Sequence, residues 1–148
     1  MEEFTEESVT ENCNDREYVL KAVKKNGKYL EFASDSLKGD KEIVLNAVKN
    51  VGWTICYASE ELKDDKDTVL TATANDGQAL YYASKRLRND FDVVKSAVEN
   101  KGLIYKYASK ELRSNKELAT IAIKNDKRAY SYIEKNLEDD EDLKKLLE

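Results

Sequence analysis

The chain repeats itself every 25 residues, and this constrains its fold more than any other feature. Written in rows from Asp15, residues 15–39, 40–64, 65–89, 90–114 and 115–139 align without insertion or deletion, and a sixth row starts at Asp140 and runs to Glu148. The first column is Asp15, Asp40, Asp65, Asp90 and Asn115, and the third is acidic throughout, from Glu17 to Glu117. The eighth is alanine from Ala22 to Ala122, and the twenty-third is leucine from Leu37 to Leu137. The thirteenth is Gly27, Gly52, Gly77 and Gly102 before Lys127. Four rows carry Ala-Ser at columns nineteen and twenty, as in Ala33-Ser34, and the fifth row has Ile133-Glu134. A unit this short has no room for its own core, so the rows must bury their apolar faces against one another.

Each row reads as two helices. The first-column Asp or Asn is an N-cap for the free amides of the first turn, and the third-column acid faces the positive end of the helix dipole. Val19, Ala22 and Val23 then follow at helical spacing, so a first helix is predicted over Arg16–Asn26. The glycine is expected to end it in the left-handed C′ conformation. For the second helix Leu30, Ala33 and Leu37 leave two courses open. It runs through to Leu37, or Ser34 breaks it and caps one further turn. The connections are short enough to force consecutive helices antiparallel, and no pair of columns alternates with the period of a strand. The expected fold is all-α: an α-solenoid of five 25-residue helix-turn-helix repeats (15–39, 40–64, 65–89, 90–114, 115–139), with an acidic leader or cap at 1–14 and a C-terminal capping helix at 140–148.

Residues Asp40–Leu62 carry the row signature best: Asp-x-Glu-x-Val-Leu-x-Ala-Val-x-x-x-Gly, then Tyr-Ala-Ser-Glu-Glu-Leu. This signature resembles the repeats called domain of unknown function 4116, over about Asp15–Leu137, with the fifth row the weakest match. The resemblance implies short stacked helical units and brings no catalytic residues with it. Such repeats are known from bacterial and protist proteins, some of host-associated bacteria, which implies delivery to a host cell as an alternative location.

The chemistry open to the chain is narrow. It has no histidine, which removes His-ligated zinc, a Ser-His-Asp triad and any imidazole acid–base group. Cys13 and Cys56 make neither a metal cluster nor a disulfide framework, and acidic surroundings disfavour a thiolate. The acidic runs Asp64–Asp67 and Asp139–Asp142 lack the alternating oxygen ligands and glycine of a calcium loop and read as caps. Gly27-Lys28 lacks the first glycine and the Ser/Thr of a phosphate loop. No catalytic residue, cofactor or metal is expected, and the chain reads as a non-enzyme. Lys and Arg total 25 against 30 Asp and Glu, and this net charge of −5 disfavours anionic partners. No apolar run approaches the ~20 residues of a membrane span, and the start at Met1-Glu2-Glu3 is acidic where a secretory signal is basic. A cytoplasmic location without membrane contact is the expectation.

A solenoid binds through positions its packing leaves free. Columns fourteen, seventeen and twenty-one vary from row to row, and their spacing places them on one helical face. There Trp53, Cys56, Tyr81, Leu103 and Lys106 mark an expected partner-binding stripe. The alternative for Trp53 is packing over its glycine turn. Phe91, in a column otherwise basic, is a second candidate contact. The expected function is a helical-repeat scaffold for a protein partner, itself a monomer or weak homo-oligomer. Two alternatives stand beside it. One is RNA binding along the basic edge Lys38, Lys63, Arg88 and Arg113; the other is an acidic inhibitor seated in the basic groove of a nucleic-acid enzyme.

Overall fold

The structure, a computed structural model, describes residues 3–148, and of the expected leader Met1 and Glu2 lie outside the described residues. Among these residues there is no strand. Each row opens with a ten-residue α-helix: Arg16–Lys25, Lys41–Asn50, Lys66–Asn75, Phe91–Asn100 and Lys116–Asn125. The first-column side chain caps each one, as Asp40 does by accepting from the Ile43 amide at 3.1 Å and Asn115 from Leu118 at 3.0 Å. The apolar face is buried outright, with Val44, Ala47 and Val48 fully enclosed in the second row. Helix Glu6–Glu11 precedes the rows and helix Glu141–Lys145 follows them. The molecule is an all-α repeat fold in which first helices stack on first helices and second segments on second segments.

The second segment is not one α-helix. It is a six-residue 3₁₀ helix, Gly27–Phe32, Gly52–Tyr57, Gly77–Tyr82, Gly102–Tyr107 and Lys127–Tyr132, followed by a break and one short turn such as Glu60–Lys63. With three residues per turn, residues three apart eclipse. Gly52, Ile55 and Ala58 therefore share one buried face, as do Gly77, Leu80 and Ala83. The break settles the open choice at the serine. Ala58 and Ser59 are both extended, and the Ser59 hydroxyl accepts from the Leu62 amide at 3.3 Å to cap the final turn. The Ser59 amide, released from the helix, donates to the Lys38 carbonyl of the preceding row at 3.0 Å. Ser34 does the same to Cys13, Ser84 to Lys63 and Ser109 to Arg88. A break that costs helical hydrogen bonds is thus offset by a bond between repeats.

The glycines also differ from expectation. None has positive φ, so the left-handed C′ reading is wrong. Gly27, Gly52, Gly77 and Gly102 open the 3₁₀ segments and are buried against the next row. A Cβ on Gly52 would sit well under 3.0 Å from the Ala72 carbonyl, and the same holds at each of the four against Ala47, Ala97 and Ala122. The column is glycine because two backbones touch there.

Two ladders tie the rows together. In the first, each glycine amide donates to an asparagine of the next row: Gly27 to Asn50, Gly52 to Asn75, Gly77 to Asn100 and Gly102 to Asn125, at 2.6–2.7 Å. In the second, a second-column cation reaches the first- and third-column acids of the next row. Arg16 meets Asp40 and Glu42, Lys41 meets Asp65 and Asp67, Lys66 meets Asp90 and Asp92, and Lys116 meets Asp140 and Asp142. Phe91 occupies the one missing rung, half-buried against the core, where the next row presents the neutral Asn115.

These bonds carry a pH signature. Hydrogen bonds from Arg16 hold the Asp40 carboxyl below the usual range, and those from Lys116 do the same for Asp140. At Asp90 burial pushes the other way, and the bonds from Lys66 and the Val93 amide outweigh it. A carboxyl depressed in the folded state stabilises fully above its unfolded value of about 3.9, and the contribution fades as pH falls through the folded value. The thermal midpoint, followed by circular dichroism, is expected to stay level down to about pH 5 and to fall below about pH 4. A midpoint that held or rose on further acidification would contradict this account of the ladder.

Candidate partner-binding surface

The 3₁₀ geometry decides which variable residues meet. Columns fourteen and seventeen are three apart and so eclipse, which puts Trp53 beside Cys56, Gln78 beside Tyr81, and Leu103 beside Lys106. Because these segments stack on one another, the pairs run as a stripe up the solenoid. Column twenty-one lies beyond the break, on the separate short turn, and not on one continuous helix as the spacing suggested.

Tyr81 is the centre of the stripe. It is 50% exposed, and its ring meets Tyr82 edge-on at 5.1 Å and Tyr107 of the next row at 4.9 Å. Trp53 is half-buried. Its ring meets Tyr57 edge-on at 6.0 Å, and the Lys28 ammonium of the row below stands 5.9 Å from its centroid. It is neither bare nor part of the core: one side of the ring packs beside its glycine turn and the rest reaches the surface. Leu103 and Lys106 are half-buried and line one shallow concavity with Gln78 and Arg128. The Lys106 ammonium lies 5.0 Å from the Tyr107 ring centroid. Cys56 is half-buried, and burial pushes its thiol above the usual range.

Sequence reasoning missed the eighteenth column. Its residues Tyr57, Tyr82 and Tyr107 are half-buried and pack against the core, and each also turns part of its ring toward the stripe. The Tyr57 hydroxyl donates to Glu31 of the first row at 3.2 Å, and burial pushes this phenol up to about 12. Tyr107 also lines a second concavity with Lys85, Arg88 and Lys110, so the twenty-first column borders the stripe. The spacing Gly-x-x-Leu-x-x-Ala fits a period of three, but it fits 3.6 almost as well over so short a run and so does not single out this column.

The basic edge is occupied by packing. Lys38, Lys63, Arg88 and Arg113 are half-buried, and their backbone carbonyls take the bonds between repeats. Lys63 pairs with Glu60 at 3.1 Å and Arg113 with Glu134 at 2.9 Å. Their stems cover the junctions between rows. The acidic runs act mainly as caps and partners: Asp65 accepts from Thr68, Asp140 from Leu143, and Asp64 from Ser84 and Arg86. Among the described residues no group of three or more acidic or cysteine side chains converges as a metal site would require, and no helix is long and apolar enough to cross a membrane.

The family model described as domain of unknown function (DUF4116) matches residues 15–63, 40–88, 65–112 and 90–138. The four matches start on the first-column residues Asp15, Asp40, Asp65 and Asp90, and each spans about two rows. No curated protein and no solved structure matches the chain.

Proposed function

We propose that this chain, which belongs to the family of domain of unknown function 4116 repeats, is a non-enzymatic scaffold that docks a protein partner on the stripe of Trp53, Cys56, Tyr81, Leu103 and Lys106. One observation carries the reading. The half-exposed Tyr81 sits in an edge-to-face run with Tyr82 and Tyr107, at a position the repeat does not need for its core. A rigid aromatic flanked by half-buried apolar side chains is the composition of an interface hot spot. Charge favours protein over nucleic acid as the occupant. The third to fifth rows place Lys85, Lys110 and Lys135 beside the stripe, but the first two rows place Asp35 and Glu60 at the same column. A phosphate backbone following the solenoid would meet acids for two rows out of five.

The test compares truncation effects on binding and on folding. Tyr81→Ala is expected to weaken capture of a specific protein partner by about 2 kcal/mol, roughly thirtyfold in Kd, while costing about 1 kcal/mol of stability from its two edge-to-face contacts. Trp53→Ala is expected to weaken binding similarly and to cost about 1 kcal/mol of stability, because half of its ring is packed. Equal binding by wild type and Tyr81→Ala would remove the stripe from the interface. RNA binding that weakened steeply with salt would favour the nucleic-acid reading instead.

A further inference from the structure

Over the first four rows the charges beside the stripe are antisymmetric along the solenoid, and Lys135 of the fifth row extends beyond that span. Column twenty-one reads Asp35 and Glu60, then Lys85 and Lys110, and column seventeen reads Glu31 and Cys56, then Tyr81 and Lys106. We propose that the stripe takes a second copy of this chain, packed antiparallel about a two-fold axis between the second and third rows. The inference rests on reading the stripe as a protein-docking surface and names its occupant.

A two-fold axis across the stack maps each column onto itself with the row order reversed. Placed between the second and third rows, it sets Glu60 opposite Lys85, Asp35 opposite Lys110 and Glu31 opposite Lys106 of the other copy. It also sets Tyr81 opposite the half-buried Cys56. Every charged pair that the first four rows form in the two columns is then of opposite sign, and Lys135 of the fifth row has no row opposite it. Moving the axis onto the third row opposes Lys85 to itself, and moving it onto the second opposes Glu60 to itself. Between the third and fourth rows it opposes Lys85 to Lys110. Only the first placement avoids a like-charge pair, and such pairs are what interfaces exclude.

The groups are available. Asp35, Glu60, Lys85 and Lys110 are exposed, and among the described residues Glu60 pairs only with its neighbour Lys63. Among the described residues Lys85 and Lys110 make no ion pair. Lys106 lies over Tyr107, and Glu31 accepts from Tyr57, so both are already oriented on the stripe. A standard interface takes about 800 Å² from each partner, about a tenth of the 7989 Å² surface of this chain. The exposed ion pairs are individually weak and screened by salt, so the expected dimer has a Kd of about 10–100 μM at low ionic strength.

Sedimentation equilibrium of the full chain tests this. The Kd is expected to rise about tenfold from low salt to about 0.5 M. Symmetry doubles each substitution, so Lys85→Glu alone and Glu60→Lys alone are each expected to raise Kd at least about tenfold. The Glu60→Lys/Lys85→Glu double variant is expected to return within about threefold of wild type. An equimolar mixture of the two single variants is also expected to dimerise. The lysine introduced in one chain would face the glutamate introduced in the other, and the native Lys85 and Glu60 that remain would face each other. Both substituted positions are exposed, and an unchanged melting curve establishes that each variant folds. A wild-type chain monomeric to about 1 mM overturns the proposal, as does a dimer indifferent to the charge reversals. These failures are distinguishable from failure of the stripe itself. A monomeric chain that loses a different protein partner on Tyr81→Ala retains the stripe, and a dimer untouched by Tyr81→Ala removes it.

Discussion

Gly52→Ala is expected to destabilise the protein by about 3 kcal/mol or more, while Gly39→Ala, the same change in an exposed turn, stays within about 0.5 kcal/mol of wild type. At Gly52 the new methyl would point at backbone, since the Ala72 carbonyl lies directly in its place and the Asp76 amide stands at 2.9 Å. Neither is the mobile end of a side chain. The second and third rows would have to separate, which would also stretch the hydrogen bond from the Gly52 amide to Asn75. Overpacking typically costs about 1–3 kcal/mol, and a weakened buried hydrogen bond adds to that. At Gly39 the nearest atom is the Ser36 carbonyl at 3.4 Å, and φ is −98°, which alanine adopts without strain. Urea titration monitored by Trp53 fluorescence reads both variants, and Trp53 is the residue next to the clash. The pair separates two accounts of the glycine column. Comparable losses at both positions would mean that glycine serves chain conformation, whereas a loss confined to Gly52 means that it serves the approach of two backbones.

That distinction shows what the sequence alone could reveal. The start and the buried face of the first helix of each row were legible, because their determinants are local. Asp40 caps within three residues, and Val44, Ala47 and Val48 repeat with the helical period. The second segment was ambiguous because Leu30, Ala33 and Leu37 fit periods of 3.0 and 3.6 almost equally over so short a run. What breaks that segment is the Ser34 amide donating to Cys13, a partner in the preceding unit. The glycine column was visible but misread for the same reason, since positive φ is a property of one residue and lack of space is a property of two. On the surface, the variable positions Trp53 and Tyr81 could be found by comparing rows. The half-exposure of Tyr57 and Tyr107 could not, because turning a 3.6-residue helix into a 3₁₀ helix moves the eighteenth column from the interior to its edge. The asparagine ladder escaped notice because Asn50, Asn75, Asn100 and Asn125 sit at helix ends, where asparagine is common.

Asn75→Ala is expected to cost about 2 kcal/mol, which is large for a residue whose side chain is mostly exposed. Its Oδ1 accepts from the buried Gly52 amide at 2.6 Å, and its Nδ2 donates to the Lys49 carbonyl at 3.1 Å. One amide side chain thus serves a buried donor and the last turn of the helix before it. Alanine leaves the glycine amide, close-packed against the Ala72 carbonyl, without its acceptor. An unmet buried donor costs more than a hydrogen bond contributes. Asn75→Asp separates the two halves of the role. The carboxylate still accepts from Gly52, but it cannot donate to Lys49 and places negative charge at the negative end of a helix dipole, so a loss of about 1 kcal/mol is expected. Asn46→Ala is the control, because among the described residues the Asn46 amide bonds Glu42 of its own helix and nothing in another row, and alanine there is expected to be neutral or stabilising. The effect is also expected to be local, since each row contacts its neighbours alone. Hydrogen exchange should show the Gly52 amide losing protection in Asn75→Ala while the Gly102 amide, bonded to Asn125, keeps its own. If both amides lost protection equally, the rows would unfold as one cooperative block, and the ladder would act on the whole stack instead of on one junction.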